Sequence, residues 1–240
     1  MNKRQISASM MCADMLNFGQ EIELFREEGV DYLHVDIMDW HYVRNLTFGP
    51  DFCQVLAENS DIPLDIHLLI EDVDDMIDKF TGLNNPIVTF SPEVLYHPIR
   101  TLQNIKAAGA KPGIALPPSM PPSHIKPLLP YCEYVSVMTI NPGFAGQALV
   151  PEALENIREI KRYIDAGGYD IRIEVDGCVS WENMPKMMQA GADIFVAGST
   201  SIFDNQMPRR EAIRRMQNIL SDGSDFSVPV PKSPWMRASA

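Results

Sequence analysis

Tyr32-Leu33-His34-Val35-Asp36-Ile37-Met38-Asp39 is the stretch on which the fold turns. It is short, rich in β-branched and aromatic residues, and alternating in character. It therefore reads as a strand that ends at Asp39, ahead of a long loop. Side chains two apart on a strand share a face, so His34, Asp36 and Met38 point the same way. An imidazole, a carboxylate and a thioether on one inward face are costly to bury without partners. Taken alone, the stretch also fits a satisfied core histidine beside a capping aspartate. Two further stretches argue for more. Asp65-Ile66-His67-Leu68-Leu69 puts a second histidine on the next strand, and Ile171-Arg172-Ile173-Glu174-Val175-Asp176-Gly177 ends a late strand on a carboxylate and a glycine. Two histidines and two aspartates at the ends of three apolar strands form a candidate site for a divalent metal.

Outward from these strands, strand-like and helix-like segments alternate along nearly the whole chain. Strands are expected at residues 6–11, 32–39, 64–69, 86–90, 111–116, 134–138, 171–176 and 192–197. Between them the pattern predicts helices over 16–28 (capped by Asp14), 51–59, 72–80, 98–108, around 125–129, 151–166 and from the cap Ser180 to Gly191. Gly198-Ser199-Thr200-Ser201 is expected to open a short helix, and residues 209–220 form the last one. Eight such alternations predict an α/β chain folded as a (β/α)8 TIM barrel, a single domain over residues 1–220. No Gly-x-Gly-x-x-Gly follows the first strand, which argues against a dinucleotide-binding open sheet. From Ser221 the chain turns to serine, proline and small residues. Residues 221–240 are expected to be a flexible tail, with Phe226 and Trp235 able to dock on a neighbour.

Composition narrows the partners. The 240 residues carry a net charge of −12 and 45% hydrophobic residues. That charge leaves no basic stripe to replace counterions, so general nucleic-acid binding is not expected. An anionic ligand must be held by local groups. The four cysteines, Cys12, Cys53, Cys132 and Cys178, form no C-x-x-C pair and read as free thiols in a reducing compartment. No signal-peptide core and no apolar run of membrane-spanning length is present, so the expectation is a soluble cytoplasmic protein without a membrane partner.

A barrel of this kind carries its reactive groups at the C-terminal ends of its strands, where Ser9, His34, Asp36, His67 and Asp176 all fall. Glycines mark three of those ends: Gly143 to Gly146 after the sixth strand, Gly177 after the seventh and Gly198-Ser199 after the eighth. Backbone N–H groups at glycines, with a helix N-terminus, suit a phosphate. Tight turns alone would also explain them.

Ile6-Ser7-Ala8-Ser9, His34-Val35-Asp36-Ile37-Met38-Asp39, Asn45-Leu46-Thr47-Phe48-Gly49-Pro50, Asp65-Ile66-His67, Val137 to Gln147, Glu174-Val175-Asp176-Gly177 and Val196-Ala197-Gly198-Ser199 occur in this order over residues 6–205. Together they resemble the ribulose-phosphate 3-epimerase family. The resemblance implies a metal-dependent isomerase acting on small sugar phosphates. It would interconvert D-ribulose 5-phosphate and D-xylulose 5-phosphate, or alternatively D-allulose 6-phosphate and D-fructose 6-phosphate or another ketose-phosphate pair. It further implies one divalent ion per subunit, Zn first and otherwise Mn, Fe or Co, and a homo-oligomer, dimer or hexamer. Carried over by position, His34, Asp36, His67 and Asp176 would ligate the metal, and Asp36 and Asp176 would serve as the acid/base pair. Ser9 and His67 would contact substrate, Met38, Leu69 and Met138 would wall off the intermediate, and Gly143, Phe144, Ala145, Gly146, Gly177, Gly198 and Ser199 would hold the phosphate. A sugar-phosphate binding protein without chemistry is the non-catalytic alternative, against which the four intact ligand positions argue. A related barrel decarboxylase or synthase would carry an Asp-x-Lys-x-x-Asp pattern, which is absent from the sequence.

Some positions depart from the family pattern. Trp40 stands at a usual glycine, where a positive φ would now be disfavoured. Arg44 replaces a proline and is either a lid cation reaching a phosphate or hydroxyl, or a solvated surface arginine. Leu69 stands for a common methionine and Ser91 for a common histidine. Cys178 replaces a second glycine, so its side chain either crowds a phosphate or points away. Ala145 and the Met11-Cys12 pair look more like the allulose-phosphate branch.

Overall fold

The computed structural model describes residues 3–222. Eight parallel strands close into a barrel in chain order: β1 (Gln5–Ser9), β2 (Tyr32–Met38), β3 (Leu64–Leu69), β4 (Ile87–Phe90), β5 (Lys111–Leu116), β6 (Tyr134–Met138), β7 (Arg172–Asp176) and β8 (Ile194–Ala197). Ile6 beside Phe195 joins β1 to β8 and shuts the ring. The outer layer holds α1 (Phe18–Glu27), α2 (Pro50–Asn59), α3 (Val73–Met76), α4 (Asp78–Thr81), α5 (Pro98–Ala107), α6 (Glu152–Gly167), α7 (Met184–Ala190) and α8 (Arg209–Asp222). No helix among the described residues is long and apolar enough to cross a membrane.

The departures from the sequence reading have local causes. β1 stops at Ser9, and Met10–Cys12 is a 3-10 turn. Asp14 does not cap α1. Its carboxylate accepts from the Leu16 N–H at 3.0 Å and from Asn17 Nδ2 at 2.8 Å, closing a turn that delays the helix to Phe18. The helix expected through Phe80 is split into α3 and α4 at Ile77. Between β5 and β6 the chain uses two 3-10 helices, Pro122–His124 and Lys126–Tyr131. Pro121, Pro122, Pro127 and Pro130 lack the N–H that an α-helical ladder requires. Ser180 accepts the Asn183 N–H at 3.2 Å, one turn before α7 begins. α8 continues to Asp222, two residues into the expected tail. Residues 223–240, with Phe226 and Trp235, lie outside the described residues.

Strand alternation divides the side chains between two cores. Leu33, Val35 and Ile37 point outward into the layer between sheet and helices, where Phe25, Phe80, Phe90 and Phe195 are fully buried. Inward, Tyr32, Ile87, Tyr134 and Ile194 from β2, β4, β6 and β8 form a separate apolar plug. Four side chains from alternate strands is the layering such barrels adopt. Two residues further along β2, β4 and β6 the interior turns polar, at His34, Thr89 and Ser136. The odd strands contribute Ser7, Asp65, Gly113 and Glu174 above the plug, and Ser9, His34, Asp36, His67 and Ser136 are buried above or beside them. Gly113 is required by packing, because a Cβ there would lie 2.3 Å from Thr89 Cγ2.

Candidate active site

The parallel register sets His34 beside Asp65 and Asp36 beside His67 across β2 and β3, and Met138 beside Asp176 across β6 and β7. Because His34, Asp36, His67 and Asp176 all face inward near the C-terminal ends of their strands, their side chains converge. One ligand-type atom from each lies within 4.8 Å of the others. His34 Nε2 is 3.3 Å from Asp36 Oδ1 and 3.9 Å from Asp176 Oδ2. His67 Nδ1 is 3.4 Å from Asp36 Oδ1 and 3.7 Å from Asp176 Oδ2. Both rings are fully buried, and Asp36 is 6% exposed.

These separations suit a cation between the groups. Donors about 2.0–2.2 Å from a tetrahedral centre sit roughly 3.3–3.6 Å from one another, close to the observed spacing. Neither nitrogen of the His67 ring has a hydrogen-bond partner among the described residues, an expensive state for a buried imidazole unless something accepts its lone pair. His34 differs, since its Nδ1 is held by Asp65 Oδ2 at 2.7 Å. Mixed N/O ligation of this type fits a divalent transition metal. Without one, the cluster balances its own charge. Burial lowers the pKa of His34, but the carboxylates of Asp65 and Asp36 outweigh it and hold the imidazole well above its usual range. Burial likewise opposes the charged form of His67, and Asp176 and Asp36 again prevail. Asp36 is raised by burial and brought well below the carboxylate range by the two histidines.

Above this cluster opens a cleft. Asp36, Asp176, Ser9, Met38, Leu69, Met138, Gly143, Phe144, Ala145, Gly146, Gly177, Gly198 and Ser199 all line it, while His34 and His67 sit beneath its floor. Gly143, Gly146 and Gly177 hold φ of +115°, +81° and +100°, a region that favours glycine. A Cβ at Gly177 would also lie 2.4 Å from Ile140 Cγ1. No helix follows Gly198. Residues 199–203 are a turn, closed by Ser201 N–H and Phe203 N–H on the Gly198 carbonyl at 3.1 and 3.2 Å. Any anion at this corner would meet turn N–H groups rather than a helix terminus.

Met11, Cys12, Ile140, Val179, Val196 and Thr200, which the sequence does not mark as contacts, line the cleft as well, together with Cys178. Asp65, Glu174, Ser7 and Ser136 form the polar layer below, which the sequence reading does not assign to the site. Their signal was present: Ser7, Asp65 and Glu174 stand two residues before Ser9, His67 and Asp176 on the same strand faces. Asp65 is pushed up by burial but drawn below its usual value by His34, whereas burial and the Asp65 charge hold Glu174 well above its own.

The loop after β2 is pinned on three sides. The Glu71 N–H donates to Asp39 Oδ2 at 2.8 Å, Asn45 Nδ2 to the Gly143 carbonyl at 2.8 Å, and the Tyr42 hydroxyl to Glu93 Oε1 at 2.8 Å, with Ser91 Oγ 2.9 Å away. Val43 packs on Met38 and Leu69. Trp40 takes φ +68° after all. Its N–H donates to the Asn45 carbonyl at 3.0 Å and Asp39 pairs with Leu46, so the tight hairpin imposes the angle. The cost of that backbone is about 1–2 kcal/mol. Arg44 is exposed, with Nη1 on the Trp40 carbonyl at 3.2 Å, and does not line the cleft. This is the surface reading, so Arg44→Ala is expected to leave kcat/KM within about twofold, as surface changes do; a tenfold fall in steady-state assays would restore the lid cation. Cys178 also adopts a positive φ, +45°; its thiol receives the Asn183 Nδ2 at 3.4 Å, and the residue still lines the cleft.

Fold and site define a (β/α)8 barrel with a buried two-histidine, two-aspartate cluster under a glycine-rimmed cleft. Residues 5–203 match the sequence profile of the Ribulose-phosphate 3 epimerase family. The chain is 39% identical over 222 residues to a ribulose-phosphate 3-epimerase of Escherichia coli (strain K12), covering 92% of this chain and 98% of that one. It is 38% identical over 200 residues to a ribulose-phosphate 3-epimerase of Serratia marcescens, covering 83% and 95%. The chain belongs to the ribulose-phosphate 3-epimerase family and is by class an isomerase. Among solved structures, a mutant tryptophan synthase alpha-subunit from Pyrococcus furiosus superposes with a TM-score of 0.63 at 13% identity, over 92% of this chain and 98% of that one; this likeness concerns the fold alone.

Proposed function

We propose that the protein interconverts D-ribulose 5-phosphate and D-xylulose 5-phosphate, with Asp36 and Asp176 as the acid/base pair. The observation that carries this is the convergence of His34, Asp36, His67 and Asp176 at the floor of the cleft. Inversion at C3 needs a proton removed from one face and a proton returned to the other. Asp36 rises from β2 and Asp176 from β7, with β1 and β8 between them, so the two carboxylates approach a bound sugar from different sides. One takes the C3 proton, and the C–H electron pair passes to the C2 carbonyl to give a planar enediolate. The other then returns a proton to the opposite face, with no net redox change. His34, Asp36, His67 and Asp176 would hold a divalent ion, which when bound supplies Lewis-acid stabilisation of the charge developing on the substrate oxygens. Met38, Leu69 and Met138 keep water from the planar carbon. Ser9 addresses a hydroxyl, His67 borders the substrate from beneath, and the backbone at Gly143, Phe144, Ala145, Gly146, Gly177, Gly198 and Ser199 takes the phosphate.

The test is hydron exchange. The metal-loaded protein is incubated in D2O with a panel of ketose phosphates, and deuterium at C3 is followed by NMR. Fastest incorporation into ribulose 5-phosphate is expected. Fastest incorporation into allulose 6-phosphate would move the assignment to the hexulose pair. No incorporation into any of them, with metal measured in the protein, would refute an epimerase.

A further inference from the structure

We propose that Asp65, seated on the hydroxyl of Ser7, is the positioning residue that fixes the tautomer and direction of His34 and thereby sets the metal affinity of the site. This inference rests on the metal-site reading above. The barrel interior above its apolar plug would ordinarily hold branched apolar side chains. Here β1, β3 and β7 place Ser7, Asp65 and Glu174 there, each at most 1% exposed. Two carboxylates so deep in a barrel are unfavourable unless they are put to use.

The use follows from the hydrogen bonds. Asp65 Oδ2 receives two donors, His34 Nδ1 at 2.7 Å and Ser7 Oγ at 2.7 Å. The three residues come from adjacent strands β1, β2 and β3, and His34 and Asp65 are register partners, so backbone pairing fixes their spacing. A neutral imidazole carries one N–H, on either nitrogen. A carboxylate acceptor at Nδ1 selects the form with its hydrogen there and leaves the Nε2 lone pair free. The Nε2 atom faces Asp36 and Asp176, at 3.3 and 3.9 Å from their oxygens. His67 has no such partner at either nitrogen. The two histidines of the site are thus unequal: His34 is held in advance, and His67 is set by whatever it binds. Ser7 matters because it keeps Oδ2 aimed at the ring. Glu174 belongs to the same cluster, with a carboxylate oxygen within 4.8 Å of His34 and Asp65.

The experiment compares wild type, Asp65→Asn and Ser7→Ala by competing Zn and Co away with a chromophoric chelator and recording the visible spectrum of the Co-loaded protein. Loss of an outer-layer partner of a metal-bound histidine costs about 10–100-fold in metal affinity. That loss is expected for Asp65→Asn, with an altered Co band, and a smaller loss in the same direction for Ser7→Ala. A downfield imidazole N–H resonance present in wild type should vanish in Asp65→Asn. Affinity within twofold of wild type with an unchanged Co band overturns the proposal. Should Asp65→Asn not fold, Ser7→Ala decides alone: it removes one oxygen, and wild-type affinity in that variant is equally fatal. Wild-type protein that binds no divalent metal would instead overturn the metal site itself, separating that failure from this one.

Discussion

Asp176→Asn is expected to lower kcat for epimerisation by about 10²–10⁴, the range a positioned acid or base supplies. The substitution is nearly isosteric, and the Asp176 backbone is held independently, its carbonyl accepting the Thr139 N–H at 2.7 Å. The turn at Gly177 should therefore survive, and the effect should lie in chemistry rather than folding. Asp176 is preferred to Asp36 for this test because Asp36 Oδ1 stands within 3.4 Å of both imidazoles, so its loss would leave buried positive charge uncompensated. The informative readout is exchange without inversion. With one carboxylate left, one epimer should still exchange its C3 hydrogen slowly with D2O while forming little of the other. A variant that epimerises within tenfold of wild type would remove Asp176 from the acid/base pair and return the mechanism to a single base.

The second large effect is expected on stripping the protein of divalent metal with a chelator. Loss of several kcal/mol of charge stabilisation corresponds to a fall of about 10³-fold or more in the exchange rate. Stability should fall as well. A ligand present at 100 to 1,000 times its Kd contributes about 2.7–4.1 kcal/mol. For a chain of this size that is a drop in Tm of roughly 5–15 °C by calorimetry. The stripped protein should nonetheless stay folded, because Asp36, Asp65 and the two imidazoles neutralise one another inside the barrel and the outer apolar layer is untouched. Addition of Zn or Mn should restore both quantities. Metal-free protein with unchanged Tm and unchanged exchange would mean that the four residues are a structural charge cluster.

Much of this molecule was legible in the chain. The alternation of Tyr32 to Asp39, repeated in Asp65 to Leu69 and Ile171 to Asp176, gave strands whose inward faces carried the histidines and aspartates, because a period of two is a property of any extended backbone. Eight strand–helix repeats then led to the closed barrel. The errors fell where local competition decides. Asp14 spent its carboxylate on a turn, prolines turned one connection into 3-10 helices, and the Gly198 corner stayed a turn. Trp40 shows the limit of a local rule. Its residue type disfavours a positive φ, yet the pairing of Asp39 with Leu46 and the bond from Trp40 to Asn45 hold it there.

By itself, then, the sequence determined which residues face inward and which outward, and so the identity of the two histidines and two aspartates at the strand ends. Which of them touch, and on what they rest, was decided by barrel closure and strand register. Nothing in the order of residues says that Asp65 meets His34 and Ser7, that His67 goes without a hydrogen-bond partner, or that Arg44 turns from the cleft to the Trp40 carbonyl. Those contacts join residues up to 58 positions apart. The contacts of Asp65 depend on strands being brought into one ring at one stagger, and a shift of a single residue would have turned those strand side chains to the other face.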